Sequence, residues 1–77
     1  MKLTYDPAAN VAYISLREPK GDVETIRIAE DFVVDIGEDG KVCGIELLNA
    51  NDQFRGDDGR LVLVNPLSGE QHELKVA

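Results

Sequence analysis

Residues 32–48 read FVVDIGEDGKVCGIELL, in which a polar, glycine-containing segment separates two apolar runs. Asp39-Gly40 supplies the positive φ angles that a tight hairpin turn requires. We therefore predict one strand over residues 32–36 and a returning strand over residues 41–48. The returning strand presents apolar side chains on both of its faces, which is typical of a strand in the middle of a sheet.

Outward from this hairpin, apolar residues recur with a period of two over most of the chain, which is the signature of β-strands. Further strands are predicted at residues 3–5, 11–16, 24–29, 61–64 and 70–76, with turns at residues 6–10 and 65–69. Strand 24–29 is apolar on one face only and is expected near a sheet edge. Strand 61–64 is apolar on both faces and is expected either in the interior or covered by another chain.

The segment at residues 49–59 breaks this alternation. We expect a loop there that holds one helical turn over residues 50–54. The predicted fold class is therefore mainly β: an antiparallel β-meander of about seven short strands with at most one short helix. An α+β fold is the alternative.

The chain length of 77 residues predicts a single small β-rich domain over residues 1–77. Such a short chain buries only about 60–65% of the surface that it exposes when unfolded, and its one cysteine, Cys43, excludes an internal disulfide. Apolar side chains on the second faces of the predicted strands need cover; they are Val11, Val33, Val42, Leu48, Val62 and Val64. We therefore predict a homodimer.

The charge distribution is acidic, with a formal net charge of -7. Its basic residues are scattered singly and form no stripe that could neutralise phosphates, so we expect no binding to nucleic acid. An acidic surface is compatible with a basic protein partner. Because we find neither a signal-peptide apolar region nor a run of about 18 apolar residues, we expect a cytoplasmic protein without membrane contact.

Glu46 is the first candidate for chemistry, because it lies between apolar neighbours on the predicted central strand. A partly buried acid of this kind is used in general acid–base catalysis. The interpretation that we favour is a structural carboxylate, either satisfied within the chain or paired at a subunit interface with Arg17 or Arg27.

An EF-hand calcium loop is a second candidate, because Asp35, Asp39, Gly40 and Glu46 have the spacing of its positions 1, 5, 6 and 12. Position 3 is Gly37, which offers no side-chain ligand. An EF-hand also needs flanking helices, whereas the flanks here alternate as strands do. The hairpin therefore explains the Asp-Gly pair better, and we predict no metal site.

Two further side-chain groups are candidates for chemistry. Tyr5, Asp6 and Tyr13 could form a polar cluster, but a turn residue and two amphipathic aromatic side chains with wet hydroxyls are the favoured interpretation. Cys43 and His72 could form a dyad, which the apolar setting of the thiol disfavours. The glycines match neither a dinucleotide-binding nor a Walker loop, so no cofactor is predicted and no catalytic residue is assigned.

Three segments resemble a family. They are Tyr5–Leu16 (YDPAANVAYISL), Val33–Asp35 (VVD) and Asp39–Leu48 (DGKVCGIELL). Together they are similar to the prokaryotic domain-of-unknown-function family 2283, whose pattern includes Tyr-Asp, Tyr-Ile-x-Leu and Gly-Ile-Glu. Asn10 departs from the acidic residue common there, and the hairpin at residues 61–76 extends beyond the pattern. The resemblance implies no activity, and it makes an antitoxin-like role beside a small toxin-like partner one option.

Two functions are consistent with these features. The favoured one is an uncharacterised, non-enzymatic protein-interaction module, antitoxin-like or regulatory, because apolar surface is in excess and no catalytic set is present. The alternative is a small enzyme or ligand-binding protein whose site forms between subunits around Glu46, Tyr13 and Asp35.

Overall fold

The structure is a computed structural model that describes residues 1–56 and 58–76. It contains seven strands and one helix, in the order β1 (Lys2–Asp6), β2 (Val11–Ser15), β3 (Glu24–Ala29), β4 (Phe32–Ile36), β5 (Val42–Leu48), α1 (Ala50–Arg55), β6 (Arg60–Val64) and β7 (Gln71–Lys75). Every strand pair is antiparallel. The mainly β fold class is therefore confirmed, and the predicted helical turn is the six-residue α1.

The strands form a five-stranded sheet of order β1-β2-β5-β4-β3 and a separate two-stranded sheet of β6 and β7. β5 lies in the middle and β3 lies at an edge, as their hydrophobic patterns predicted. The chain crosses from β2 to the far edge before β4 and β5 fill the gap, so the strand order is not the sequential order of a simple meander.

The β4–β5 hairpin shows the predicted turn chemistry. Gly40 has a φ of 78°, and its N–H donates to the carbonyl oxygen of Gly37 at 3.0 Å. The Asp39 carboxylate accepts a hydrogen bond from the Lys41 N–H at 3.1 Å. Strands flank this turn on both sides, as the hairpin interpretation predicted.

The two faces of the large sheet differ in chemistry. On one face, the strand register aligns five aliphatic side chains across all five strands, and we call these the apolar row: Leu3, Ile14, Ile45, Val34 and Ile26. On the opposite face, which we call the polar face, the register aligns Lys2, Ser15, Gly44, Asp35 and Thr25. The next aligned positions on the polar face are Thr4, Tyr13, Glu46, Val33 and Arg27.

Helix α1 packs on the apolar face at one end. Ala50 and Phe54 contact Ala12, and the partly buried neighbours of this cluster are Leu3, Tyr5, Leu47 and Val76. The Tyr5 and Phe54 rings meet edge to face, with centroids 4.8 Å apart. Because α1 is only six residues long, every member of the apolar row remains only half-buried.

Several sequence expectations about burial need correction. Residues 61–64 are not in the interior of this chain, because Val62, Leu63 and Val64 are about half exposed (48%, 52% and 53%). Val33, in contrast, is only 7% exposed without any second chain. The one-sided apolar pattern predicted for residues 24–29 is interrupted, because a register irregularity lies between Arg27 and Ala29 and Ile28 is 60% exposed.

Candidate functional site

The polar face carries a hydrogen-bonded group that joins three strands. The Tyr13 hydroxyl on β2 donates to Asp35 Oδ2 on β4 at 2.7 Å. The Thr25 hydroxyl on β3 donates to Asp35 Oδ1, also at 2.7 Å. Both oxygens of the Asp35 carboxylate therefore accept a hydroxyl hydrogen bond. We call Tyr13, Thr25 and Asp35 the carboxylate cluster.

Gly44 makes this cluster possible. β5 lies between β2 and β4, so the Tyr13 side chain must pass over β5 to reach Asp35. It passes at Gly44, where an added Cβ would overlap the Tyr13 hydroxyl and would lie only 3.0 Å from Tyr13 Cε1. Any side chain at this position would therefore displace the phenol ring.

The electrostatics of the cluster keep the phenol protonated. The hydrogen bond to Asp35 is the main cause that raises the pKa of Tyr13 from 10.0 to about 12, and burial and the nearby charges of Asp35, Cys43 and Glu46 add to it. A phenol that holds its proton this firmly is a poor acid at neutral pH.

Glu46 lies beside the cluster on the polar face, where its cross-strand partners are Tyr13 on β2 and Val33 on β4. The pairing with Arg17 or Arg27 at a subunit interface would join two chains and stays a prediction. Arg27 donates to the carbonyl oxygen of Glu30. The structure thus gathers Glu46, Tyr13 and Asp35, the three residues of the alternative hypothesis, on one face.

A second network joins the first hairpin to α1 on the other side of the sheet. The Tyr5 hydroxyl donates to Asn51 Oδ1 at 2.6 Å, and Asn51 Nδ2 donates to the carbonyl oxygen of Pro7 at 3.1 Å. The Asn51 N–H donates in turn to Asn10 Oδ1 at 2.8 Å. Asn10 has a φ of 60°, a conformation that asparagine tolerates better than most residues. A carboxylate at position 10 could accept the same bond.

A family model described as protein of unknown function (DUF2283) matches residues 2–51. The chain belongs to this family. No curated protein and no solved structure matched the chain. The DUF2283 region contains the whole five-stranded sheet, the carboxylate cluster and both ends of the Tyr5–Asn51 contact, whereas the β6–β7 hairpin lies outside it.

The two tyrosines of the DUF2283 region do not meet. Tyr5 pairs with Ala12 in the register, so Tyr5 and Tyr13 point to opposite faces of the sheet. Asp6 is the predicted turn residue, because its Oδ1 accepts hydrogen bonds from the N–H groups of Ala8 and Ala9 at 3.1 and 3.2 Å. Each phenol hydroxyl donates to a side chain, so neither tyrosine relies on water alone for its hydrogen bond.

The other candidate residues lie apart. The Cys43 thiol is buried and contacts the Asp35 carbonyl oxygen at 3.4 Å, whereas His72 is exposed on β7 and pairs with Glu70 at 2.8 Å. Over residues 1–56 and 58–76, no group of three potential ligands could hold a metal ion. No helix in the same residues is long and apolar enough to cross a membrane.

Sequence reasoning missed Thr25, Asn51 and the function of Gly44. Thr25 and Gly44 occupy the same aligned positions as Asp35, so only the strand order could have identified them. In this arrangement the hydroxyls of Tyr13 and Thr25 donate to the Asp35 carboxylate. The Tyr13 ring lies close to the backbone at Gly44. The hydrogen bonds of Asp35 connect β2 and β3 to β4, and the bond from Tyr13 passes over β5.

Proposed function

We propose that this chain is a non-enzymatic protein-interaction module that works as a homodimer. The observation that carries the proposal is the apolar row, which crosses all five strands and stays only half-buried. Aliphatic side chains aligned across a whole sheet face drive association because their burial removes apolar surface from water. An antitoxin-like or regulatory role toward a small basic partner agrees with the net charge of -7.

The surface area of the chain supports this proposal. A compact globular protein of 8.4 kDa exposes about 4,600 Å² according to the scaling of surface with mass. This chain exposes 5578 Å², a surplus of about 1,000 Å² over that scaling. A stable interface of standard size buries about 800 Å² on each partner, so the surplus equals the surface that one such contact would cover.

The shape of the chain agrees with its surface area. The radius of gyration is 13.9 Å, whereas a compact domain of this length has about 11.5 Å. The β6–β7 hairpin, with its half-exposed Leu63, Val64 and Leu74, is a separate sheet and contributes to this extension. Two surfaces, the apolar row and the hairpin, are therefore available for association.

The test is the molar mass in solution by size exclusion with light scattering at micromolar concentration. We expect twice the chain mass of 8.4 kDa. An Ile26→Ser variant, which places a hydroxyl in the apolar row at an edge strand, should shift the mass toward that of the single chain. A Thr4→Ser variant at the other edge, on the polar face, is the matched control and should leave the mass unchanged. A monomeric native chain would refute the proposal.

A ligand-binding or catalytic site is the second candidate, favoured by the gathering of Glu46, Tyr13 and Asp35 on one face. Glu46→Gln separates the two functions. If a reaction or ligand depends on this carboxylate, the variant folds normally and loses that activity. If Glu46 is structural, as the first proposal implies, the midpoint of unfolding moves and self-association is retained.

A further inference from the structure

We infer that the β6–β7 hairpin is an arm that docks on the apolar row of a second copy of this chain. The inference rests on the proposed homodimer and names the surfaces that form it. In such a dimer each copy gives one arm and receives one, so the contact is reciprocal, as a two-fold interface requires.

The hairpin needs a covering surface. A two-stranded hairpin standing alone in water is marginally stable at best and gains stability by packing an apolar face. One face of this hairpin pairs Leu61 with Leu74 and Leu63 with His72, and Leu63 and Leu74 are 52% and 46% exposed. We call Leu61, Leu63 and Leu74 the leucine face. Within one chain, Leu63 and Leu74 remain about half open to solvent, and Leu61 is partly buried.

The leucine face points to the side of the sheet that carries the apolar row. The Val76 N–H donates to the Gly59 carbonyl oxygen at 2.7 Å, so the hairpin ladder continues one pair beyond Arg60 and Lys75. Side chains alternate along a strand, so Val76 lies on the same side as Leu74. Val76 packs against the cluster of α1, so the leucine face continues from the helix side of the sheet.

The apolar row offers the matching surface. Helix α1 and Val76 cover the end of this face near Leu3, whereas Ile45, Val34 and Ile26 extend away toward the β3 edge and are half-buried. The β6–β7 hairpin of the same chain leaves Leu63 half exposed, so it does not cover these three residues completely. The arm of a second copy supplies leucine side chains of the right chemistry to this open end.

Area, and the presence of both apolar surfaces on every chain, favour a second copy over a different partner. Two chains that each carry a net charge of -7 repel one another, so a contact between copies has to gain its free energy from apolar side chains. The apolar row and the three leucines of the leucine face are apolar, and each chain carries both; His72, which lies opposite Leu63, pairs its ring with the Glu70 carboxylate at 2.8 Å. The surplus of about 1,000 Å² per chain also matches one standard interface half.

The first experiment compares Leu63→Ser with Val64→Ser in the full chain. The two residues are neighbours on β6 with equal exposure, 52% and 53%, but they lie on opposite faces of the hairpin. Because each dimer loses two leucine contacts, Leu63→Ser should raise the dimer dissociation constant by at least about 30-fold. Val64→Ser should change it by less than about 3-fold. Circular dichroism checks that both variants fold.

The second experiment tests whether the arm reaches another copy. In a Cys43→Ser background, one pool of chains carries Ile26→Cys and a second, tagged pool carries Leu63→Cys. The pools are mixed and treated with a short bismaleimide. We expect a crosslinked pair that contains one chain from each pool, and a much lower yield when Val64→Cys replaces Leu63→Cys.

The outcomes separate the two proposals. A dimer that Leu63→Ser weakens and that crosslinks through Leu63→Cys supports the arm. A dimer that resists Leu63→Ser but dissociates with Ile26→Ser overturns the arm and keeps the homodimer, because the apolar rows then pack face to face. A native chain that is monomeric overturns both.

Discussion

Gly44→Ala is the sharpest perturbation of the carboxylate cluster, because the added methyl group occupies the space of the Tyr13 phenol. Displacing the phenol breaks its hydrogen bond to the Asp35 carboxylate, and a hydrogen bond to a charged group contributes about 1.5–3 kcal/mol. Alanine in a strand recovers about 0.5–1 kcal/mol relative to glycine. The free energy of unfolding should therefore fall by about 1–2 kcal/mol, which lowers the Tm by roughly 5–15 °C in a chain of this size.

The assay is a double-mutant cycle in chemical and thermal unfolding at a fixed protein concentration, because self-association makes the Tm depend on concentration. In a Tyr13→Ala background, the space above Gly44 is empty, so Gly44→Ala should stabilise the chain by about 0.5 kcal/mol. The coupling between the two positions should be about 2 kcal/mol. If Gly44→Ala costs the same in both backgrounds, the phenol does not lie over Gly44 and the reasoning is refuted.

The remaining predictions concern the two tyrosines. The pKa of Tyr13 is raised from 10.0 to about 12, so the unfolded chain loses this proton first, and the contribution of Tyr13 to stability is complete below pH 10 and lost as the pH rises toward about 12. Phenolate absorbance should show a lower pKa for Tyr13 in Asp35→Asn, and a smaller decrease in Glu46→Gln, because Asp35 is the main cause of the shift. Tyr5→Phe should lower the free energy of unfolding by about 1–2 kcal/mol, since the bond to Asn51 is lost while the ring contact with Phe54 remains; an unchanged unfolding midpoint would contradict this.

The local structure of the chain could be predicted from the sequence, because turns and alternation are local properties. Asp39-Gly40 fixed the position of the β4–β5 hairpin, and the apolar residues on both faces of residues 41–48 correctly indicated a central strand. Residues 50–54 were expected to hold a helical turn, and α1 occupies residues 50–55. Each of these inferences used residues no more than a few positions apart.

The partners of each strand could not be predicted in the same way. Alternation shows which side chains share a face but not which strand lies beside which, so the insertion of β5 between β2 and β4 was not foreseen. The contact between Tyr13 and Asp35, which are 22 positions apart, depends entirely on that insertion. Of the two options for residues 61–64, the interior position is wrong for a similar reason, because apolar residues on both faces of a strand also occur in a hairpin that has no cover within its own chain.

The strand order gives a physical reason why three sequence segments that resemble DUF2283 occur together in this chain. Tyr13, Asp35 and Gly44 come from three separate segments of the pattern, and they meet at one point where a phenol crosses the backbone of β5 to a carboxylate on β4. Each residue type is required there: a long side chain with a donor, a short acceptor, and no side chain between them. A hydrogen bond that crosses β5 in this way favours one register of β2, β5 and β4. That register aligns Ile14, Ile45 and Val34 on the opposite face. The contacts of Tyr13, Gly44 and Asp35 on the polar face thus help to align the apolar row. For this reason Gly44→Ala should also weaken self-association, while the β6–β7 hairpin, which is a separate sheet, should keep its structure.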